Sequence, residues 1–314
     1  MSALFDAIFP VFAVIALGFG LRKTDFVPAD HWRGVEDLCF WGFFPAILAL
    51  TMMKAGLSDI QAGDFVLTLV VSVAVVCGLV LALWPVLRSV FAINSGQFTT
   101  IFQTTTRWHG FIALAVVLNL YGTAGAALIA IAFAVLVPIL QIVNILVLAG
   151  FSSAGRPGPG QLLMIIVRNP IIWGVAIGLF VNLAAIPLWP PILSTLDLIG
   201  RAALGASLLA LGAGLSLKAA MRPSLAVLLG VAGRALVMPA IMLAVALLLG
   251  VSGLELSVLM ICAAVPAAMN GFVLARKMGG DAPLYASVAT IQTIAAFAVI
   301  PAWMAIVQNW FGGA

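Results

Sequence analysis

The chain is a succession of long apolar runs separated by short polar breaks. A run such as VLTLVVSVAVVCGLVLALWPVL (66–87) is continuously apolar. It lacks the period-two alternation of a membrane β-strand. In hydrocarbon such a run satisfies its backbone only as a helix. Glycine, proline and small polar residues mark breaks at Gly56, Gly122, Ser152 to Gly160, Pro187 to Pro191, Pro223 and Gly279-Gly280. The pattern predicts about ten spans, roughly at 4–21, 34–53, 65–88, 98–121, 124–149, 162–183, 192–216, 223–249, 254–277 and 283–308.

Composition turns this pattern into a solvent. Of 314 residues, 64% are hydrophobic and 8% charged. Soluble domains carry about a quarter charged residues. The expected fold is therefore an all-α membrane protein, with lipid as its surrounding partner. The N-terminus has no basic n-region, so the first run reads as a retained span.

Charge then orients the spans. The loops after spans 1, 3, 5, 7 and 9 hold nine basic residues: Arg22, Lys23, Arg33, Arg88, Arg156, Lys218, Arg222, Arg276 and Lys277. The termini and the other loops hold only Lys54. The positive-inside rule puts the basic loops in the cytoplasm and both termini outside, in a bacterial inner membrane the periplasm. The segment SSAGRPGPG (152–160) is the one linker-like stretch. It separates a first five-helix repeat (1–151) from a second (161–314), and an odd number of spans per half makes the second repeat inverted. His109-Gly110-Phe111-Ile112 echoes Asn270-Gly271-Phe272-Val273, and Ala132 to Val135 echoes Ala296 to Val299, each followed by a proline (Pro138, Pro301).

Several classes of function are excluded. The net charge of +4 is scattered, with no basic run or aromatic-interleaved patch for nucleic acid. Cys39, Cys77 and Cys262 lie in apolar runs without metal or redox spacing, so no metal and no cofactor is expected. No Walker loop, G-x-S-x-G or other enzyme motif occurs. Gly-x-Gly at 18–20 and 212–214 lies inside spans and predicts close helix packing.

The candidate chemistry sits in spans 4 and 9. Span 4 opens with polar side chains from Gln97 to His109. Arg107 falls about 14 Å into it, near mid-membrane. A charge there is costly and should face the bundle interior or a water-filled cavity. A guanidinium grips a carboxylate with two prongs, so Arg107 predicts a small organic anion as substrate. The alternative is a structural arginine paired to carbonyls or an acid. His109 could donate to the substrate or carry a proton, or simply pack. On a continuous helix 107 and 109 diverge by about 200°, so both reach one site only if the helix is interrupted. Gly110 weakens the helix without by itself breaking it. In span 9, Pro266 removes a helical hydrogen bond, and Asn270 and Gly271 follow one turn later. A proline-broken helix at mid-depth frees backbone groups for a ligand, although a plain kink is the other reading. Asp197 and Arg201 share a face of span 7, and Arg234 lies near mid-depth in span 8. They read as a structural ion pair or a proton relay. Asn119, Gln141, Asn144, Gln292 and Thr293 read as polar residues that bond between helices.

These residues resemble the auxin efflux carrier family. Phe9-Pro10-Val11-Phe12 with Leu17 to Arg22, Phe44-Pro45-Ala46-Ile47-Leu48, Asn169-Pro170 and Leu209 to Ser216 are similar to its helices. So is Val273 to Asp281, followed by Gln292-Thr293 and Pro301. The likeness runs over nearly the whole chain. It implies two inverted five-helix repeats, with broken, crossing helices 4 and 9 around a central site that includes Pro266 and Asn270. Bacterial relatives include carriers of malonate and other small organic acids, and the bile acid:sodium symporters are more distantly similar. The chain departs from the family pattern at His109, where many members have Asn, and at Ala115, where many have proline.

The expected function is therefore a secondary transporter of a small organic anion by alternating access, not an enzyme. Spans 4 and 9 lack an acid beyond Glu255 at an end, so H+ coupling or facilitation fits better than Na+. Alternatives are a sodium-coupled carrier of the bile-acid symporter type, and a membrane sensor or assembly partner that binds without transporting. A homodimer is compatible with the chain.

Overall fold

The computed structural model describes residues 2–28, 30–55, 62–151, 158–217, 221 and 223–311. Gly56, the linker residues 152–157 with Arg156, and the basic residues Lys218 and Arg222 lie outside the described residues. Every regular element described is a helix.

The chain opens with α1 (Ser2–Lys23). Next comes α2 (His31–Leu38), which runs through a π turn (Cys39–Phe43) into α3 (Phe44–Met53). There follow α4 (Ala62–Ala82), α5 (Trp84–Ser89), α6 (Ser95–Thr106) and α7 (Gly110–Phe151). The remainder is α8 (Pro159–Val167), α9 (Pro170–Leu183), α10 (Pro190–Gly214), α11 (Leu225–Ala232), a π turn (Gly233–Val237), α12 (Met238–Leu248), α13 (Gly253–Ala264), α14 (Asn270–Lys277) and α15 (Ala282–Phe311).

Among the described residues, six helical stretches are long and apolar enough to cross a membrane. The roughly ten predicted spans map onto them unevenly, for local reasons. One stretch, Ser95–Phe151, covers predicted spans 4 and 5. Within it Gly122 adopts φ 60°, ψ −145°, a conformation open only to glycine, so the helix is interrupted where the sequence predicts. Predicted span 6 is cut at Arg168-Asn169. Pro170 starts α9 at its first turn, and the Asn169 side chain accepts from the Ile171 amide. This leaves Pro170–Leu183 as a shorter apolar helix; Gly253–Ala264 is another, ended at residue 265.

Both π turns stand just before a proline, at Phe44-Pro45 and Met238-Pro239. A proline inside a helix has no amide hydrogen and crowds the preceding turn. One wider turn relieves that crowding. The carbonyl left over at Ala235 accepts from the Trp303 indole at 2.9 Å.

The described chain forms two compact units, and each draws on both predicted halves. Unit 1 is Met1–Ala62, Phe111–Val137 and Leu163–Gly214. Unit 2 is Gly63–Gly110, Pro138–Leu162 and Leu215–Ala314.

In unit 1, α1 packs on α10 and α3 on α9, and glycine sets both contacts. A Cβ on Gly18 would overlap the Leu209 carbonyl, and one on Gly212 would overlap the Ile15 carbonyl. Likewise Gly174 lies against the Pro45 backbone and Gly178 against Ala49. In lipid the hydrophobic effect does not drive helices together, so close backbone approach and the dispersion it allows do the work. Arg22 fastens the α1 end to the Ala213 carbonyl at 3.1 Å. The Asn182 amide donates to the carbonyls of Met52, Met53 and Ala55 at the end of α3.

Gly212→Val and Gly18→Val are therefore expected to destabilise the folded protein by about 3 kcal/mol, the upper range for overpacking. Thermal unfolding in detergent checks this, with Gly20→Ala as the control, because nothing lies within 4 Å of a Cβ there.

Candidate functional site

Unit 2 contains two helices that stop in the same way. α6 and α13 each run for 12 residues. α6 ends into Arg107 at φ −68°, ψ 148°, and α13 into Val265 at φ −66°, ψ 152°. For Val265 the cause is Pro266, which disfavours the helical conformation in the residue before it. At Arg107 there is no proline, and Ala115 stands within the next helix. The end of α6 is instead weakened by Thr104-Thr105-Thr106. Three β-branched residues in succession are poor helix formers. Two of their hydroxyls bond back to backbone carbonyls, Thr104 to Thr100 and Thr106 to Phe102, both at 2.9 Å. The next helices begin at Gly110 and Asn270.

A break frees backbone groups, and single buried side chains take them up. Gln292 of α15 serves both breaks. Its Nε2 donates to the Thr104 carbonyl at 3.0 Å and the Gly230 carbonyl at 2.9 Å, while its Oε1 accepts from the Ala267 amide at 2.9 Å. Arg234 closes the end of α13. Its Nε donates to the Val265 carbonyl at 2.6 Å and its Nη2 to the Cys262 carbonyl at 2.5 Å. The Cys262 carbonyl would otherwise have bonded to residue 266, which is proline and has no N–H. A cation also suits the negative end of the helix dipole. The Tyr285 hydroxyl donates to the Ala268 carbonyl at 2.6 Å, in space that exists because Gly271 has no side chain.

The two breaks meet at Arg107. Its Nη1 donates to Asn270 Oδ1 at 3.1 Å and its Nη2 to Gln141 Oε1 at 3.2 Å. Its Nε is buried with no hydrogen-bond partner. The residue is 5% exposed, whereas Asn270 is exposed, so the guanidinium lies one side chain beneath accessible surface. Both partners are neutral amides. The acids of unit 2 are Asp64, Glu255 and Asp281, and each stands at the start of a helix. The far end of α6 is held there: Thr100 donates to the Asp281 carbonyl, and the Asp281 amide to Gly96. Thus α6 runs beside α14, from Asp281 at one end to Asn270 at the other.

Of the residues the sequence singles out, Arg107 and Asn270 come into direct contact. His109 is buried within the first break, and Gly110 opens the following helix. Pro266 sets the second break and Gly271 admits Tyr285. Arg234 belongs to unit 2 and spends two of its donor nitrogens on α13 carbonyls. Asp197 and Arg201 belong to unit 1 and form an i,i+4 pair at 2.7 Å, with Arg201 78% exposed. This is the only ion pair among the described residues. Sequence reasoning placed Gln141 and Gln292 among residues that bond between helices, as they do, without seeing that both serve the breaks. Tyr285 carried no signal beyond being a phenol in an apolar run.

With every described element a helix, and six described stretches long and apolar enough to cross a membrane, the chain is an integral membrane protein. Residues 159–304 match the model of a family described as membrane transport protein. The match, over a little less than half of the chain, bears out the resemblance to the auxin efflux carrier family and supports a membrane transporter. No curated protein matches it.

Gln292→Leu removes three hydrogen bonds and takes the side-chain partner from the Thr104 carbonyl and the Ala267 amide. The expected loss is about 3 kcal/mol or more, from buried polar groups left unpaired. The melting temperature of the purified protein checks this; a variant as stable as the wild type would assign the groups other partners.

Proposed function

We propose that the protein is a secondary carrier of a small organic anion that binds its substrate carboxylate at Arg107. The carrying observation is a buried guanidinium held only by two amide oxygens, with a third nitrogen unpartnered. A buried charge without a countercharge costs several kcal/mol. Arriving as substrate, an anion removes that cost. The start of α14 at Asn270 adds a positive helix end to the same place. His109 and Gly110 at the first break and Pro266 and Gly271 at the second complete the proposed site.

The wider reading is ten spans in two inverted repeats, with both termini outside a bacterial inner membrane and transport by alternating access. The distribution of basic residues supports the orientation. The matched ends of α6 and α13 support the repeat. So does Pro10 to Gly18 in α1, which has the same spacing as Pro170 to Gly178 in α9, each glycine meeting the backbone of another helix. Coupling to H+, or none, suits the site better than Na+, because the acids of unit 2 stand at helix starts rather than at the breaks.

Uptake of labelled mono- and dicarboxylates into proteoliposomes tests this reading. Arg107→Gln is expected to lower flux at least about tenfold, the worth of a charge-assisted hydrogen bond, while leaving the protein folded. Wild-type flux in that variant would remove Arg107 from the site. Asp197→Asn is expected to leave flux within about twofold, because exposed ion pairs contribute little. A collapse of flux would make the pair a proton relay instead.

A further inference from the structure

Unit 1 holds a cavity of about 280 Å³ where α3 and α9 end and α10 begins. Its wall includes Lys54, Val181, Asn182, Ile186, Leu188 and Leu193. We propose that it binds an anionic phospholipid, with the phosphate on the Lys54 ammonium and an acyl chain along the exposed apolar side of α9 and the turn after it. The proposal is independent of the substrate site at the breaks.

Lys54 directly follows the last residue of α3. A lysine there ordinarily serves the last carbonyls of its own helix. Here the Asn182 carboxamide bonds to the carbonyls of Met52, Met53 and Ala55. Lys54 is exposed, and among the described residues its ammonium has no hydrogen bond or ion pair. A cation in a cavity wall, with the nearby acceptors already served, suits an anion from outside the protein.

The rest of the wall says what kind of anion. α9 ends in a turn closed by Ala185 at φ 48°, whose amide bonds to the Asn182 carbonyl, while the Ile186 amide reaches back to Val181. That turn brings Ile186 and Leu188 to the same cavity as Leu193 of α10. Beside it Leu183 is 70% exposed and Trp189 69%. A tryptophan at the end of a span marks the headgroup level of the bilayer. A lysine at that level lays its stem on apolar surface and keeps its charge among the headgroups. A small hydrophilic anion would use the lysine and leave the apolar surface idle, whereas a lipid uses both. Charge then selects the lipid. Lys54 is the one basic residue on the side opposite the basic loops, so an anionic headgroup in that leaflet has this residue as its anchor.

The test places the full chain in phosphatidylethanolamine vesicles that contain a trace of phosphatidylglycerol carrying a photoreactive diazirine in its acyl chain. After illumination, peptide mass spectrometry reads the label on residues 181–193 relative to that on α4, whose Leu67 and Val75 also lie exposed. The ratio is expected to fall about fivefold in Lys54→Gln, the worth of one basic residue at an anionic surface, and to hold in Lys54→Arg. A phosphatidylethanolamine probe of the same chain length should give a lower ratio that Lys54→Gln leaves unchanged. Soluble glycerol 1-phosphate should not displace the label. An unchanged ratio in Lys54→Gln, or equal labelling by the two probes, would reduce the site to ordinary lipid contact and overturn the proposal. Displacement by glycerol 1-phosphate would make the occupant a free phosphate ester and overturn it too. So would the absence of label from residues 181–193.

Discussion

A helix that stops inside a membrane leaves carbonyls and amides where no water can reach them. The arrangement of unit 2 follows from meeting that demand. α6 and α13 stop at Thr106 and Ala264, and the groups released around the breaks are taken up by Arg234 and by Tyr285 and Gln292, two turns apart on α15. Glycines at 230, 233 and 271 let these elements close in. A Cβ at Gly233 would overlap the Thr105 hydroxyl, and one at Gly271 would overlap the Tyr285 ring. The breaks are therefore built features with dedicated partners.

Against this background the two buried arginines differ. Arg234 bonds to backbone at a helix end, where the dipole partly balances its charge. Arg107 bonds to side-chain amides that can turn away. One arginine is fixed to the backbone frame of the break, and the other is held by side chains alone. Sequence position alone does not separate them, since both fall near mid-depth of an apolar run.

Much of the fold was legible in the sequence because lipid imposes a simple rule. A continuous apolar run must be a helix, and Gly122 interrupts one through local backbone chemistry that any reader of the chain can apply. The break at Pro266 was legible for the same reason. The break at Arg107 was expected only from the family resemblance, because three threonines weaken a helix only when tertiary partners such as Gln292 reward its ending. The contact between Arg107 and Asn270 joins residues 163 apart in sequence, and its traces were the faint echo between the two halves and the crossing of helices 4 and 9 that the family resemblance implies. Gln141 and Gln292 were visible as polar residues in spans, but which backbone or side chain a glutamine finds is decided by packing. The cut before α9 was missed because the apolar run continues across it.

The capping of α13 has a consequence for how such a chain can change over generations. Pro266 deprives the Cys262 carbonyl of its natural partner, and Arg234 supplies the replacement. If the proline were lost, residue 266 could regain an amide bond to residue 262, and the arginine would become a buried charge without a purpose. If the arginine were lost first, the proline would leave a bare carbonyl in the core. Either change alone leaves a buried polar group with fewer partners, so the proline and the arginine are energetically coupled across the end of α13.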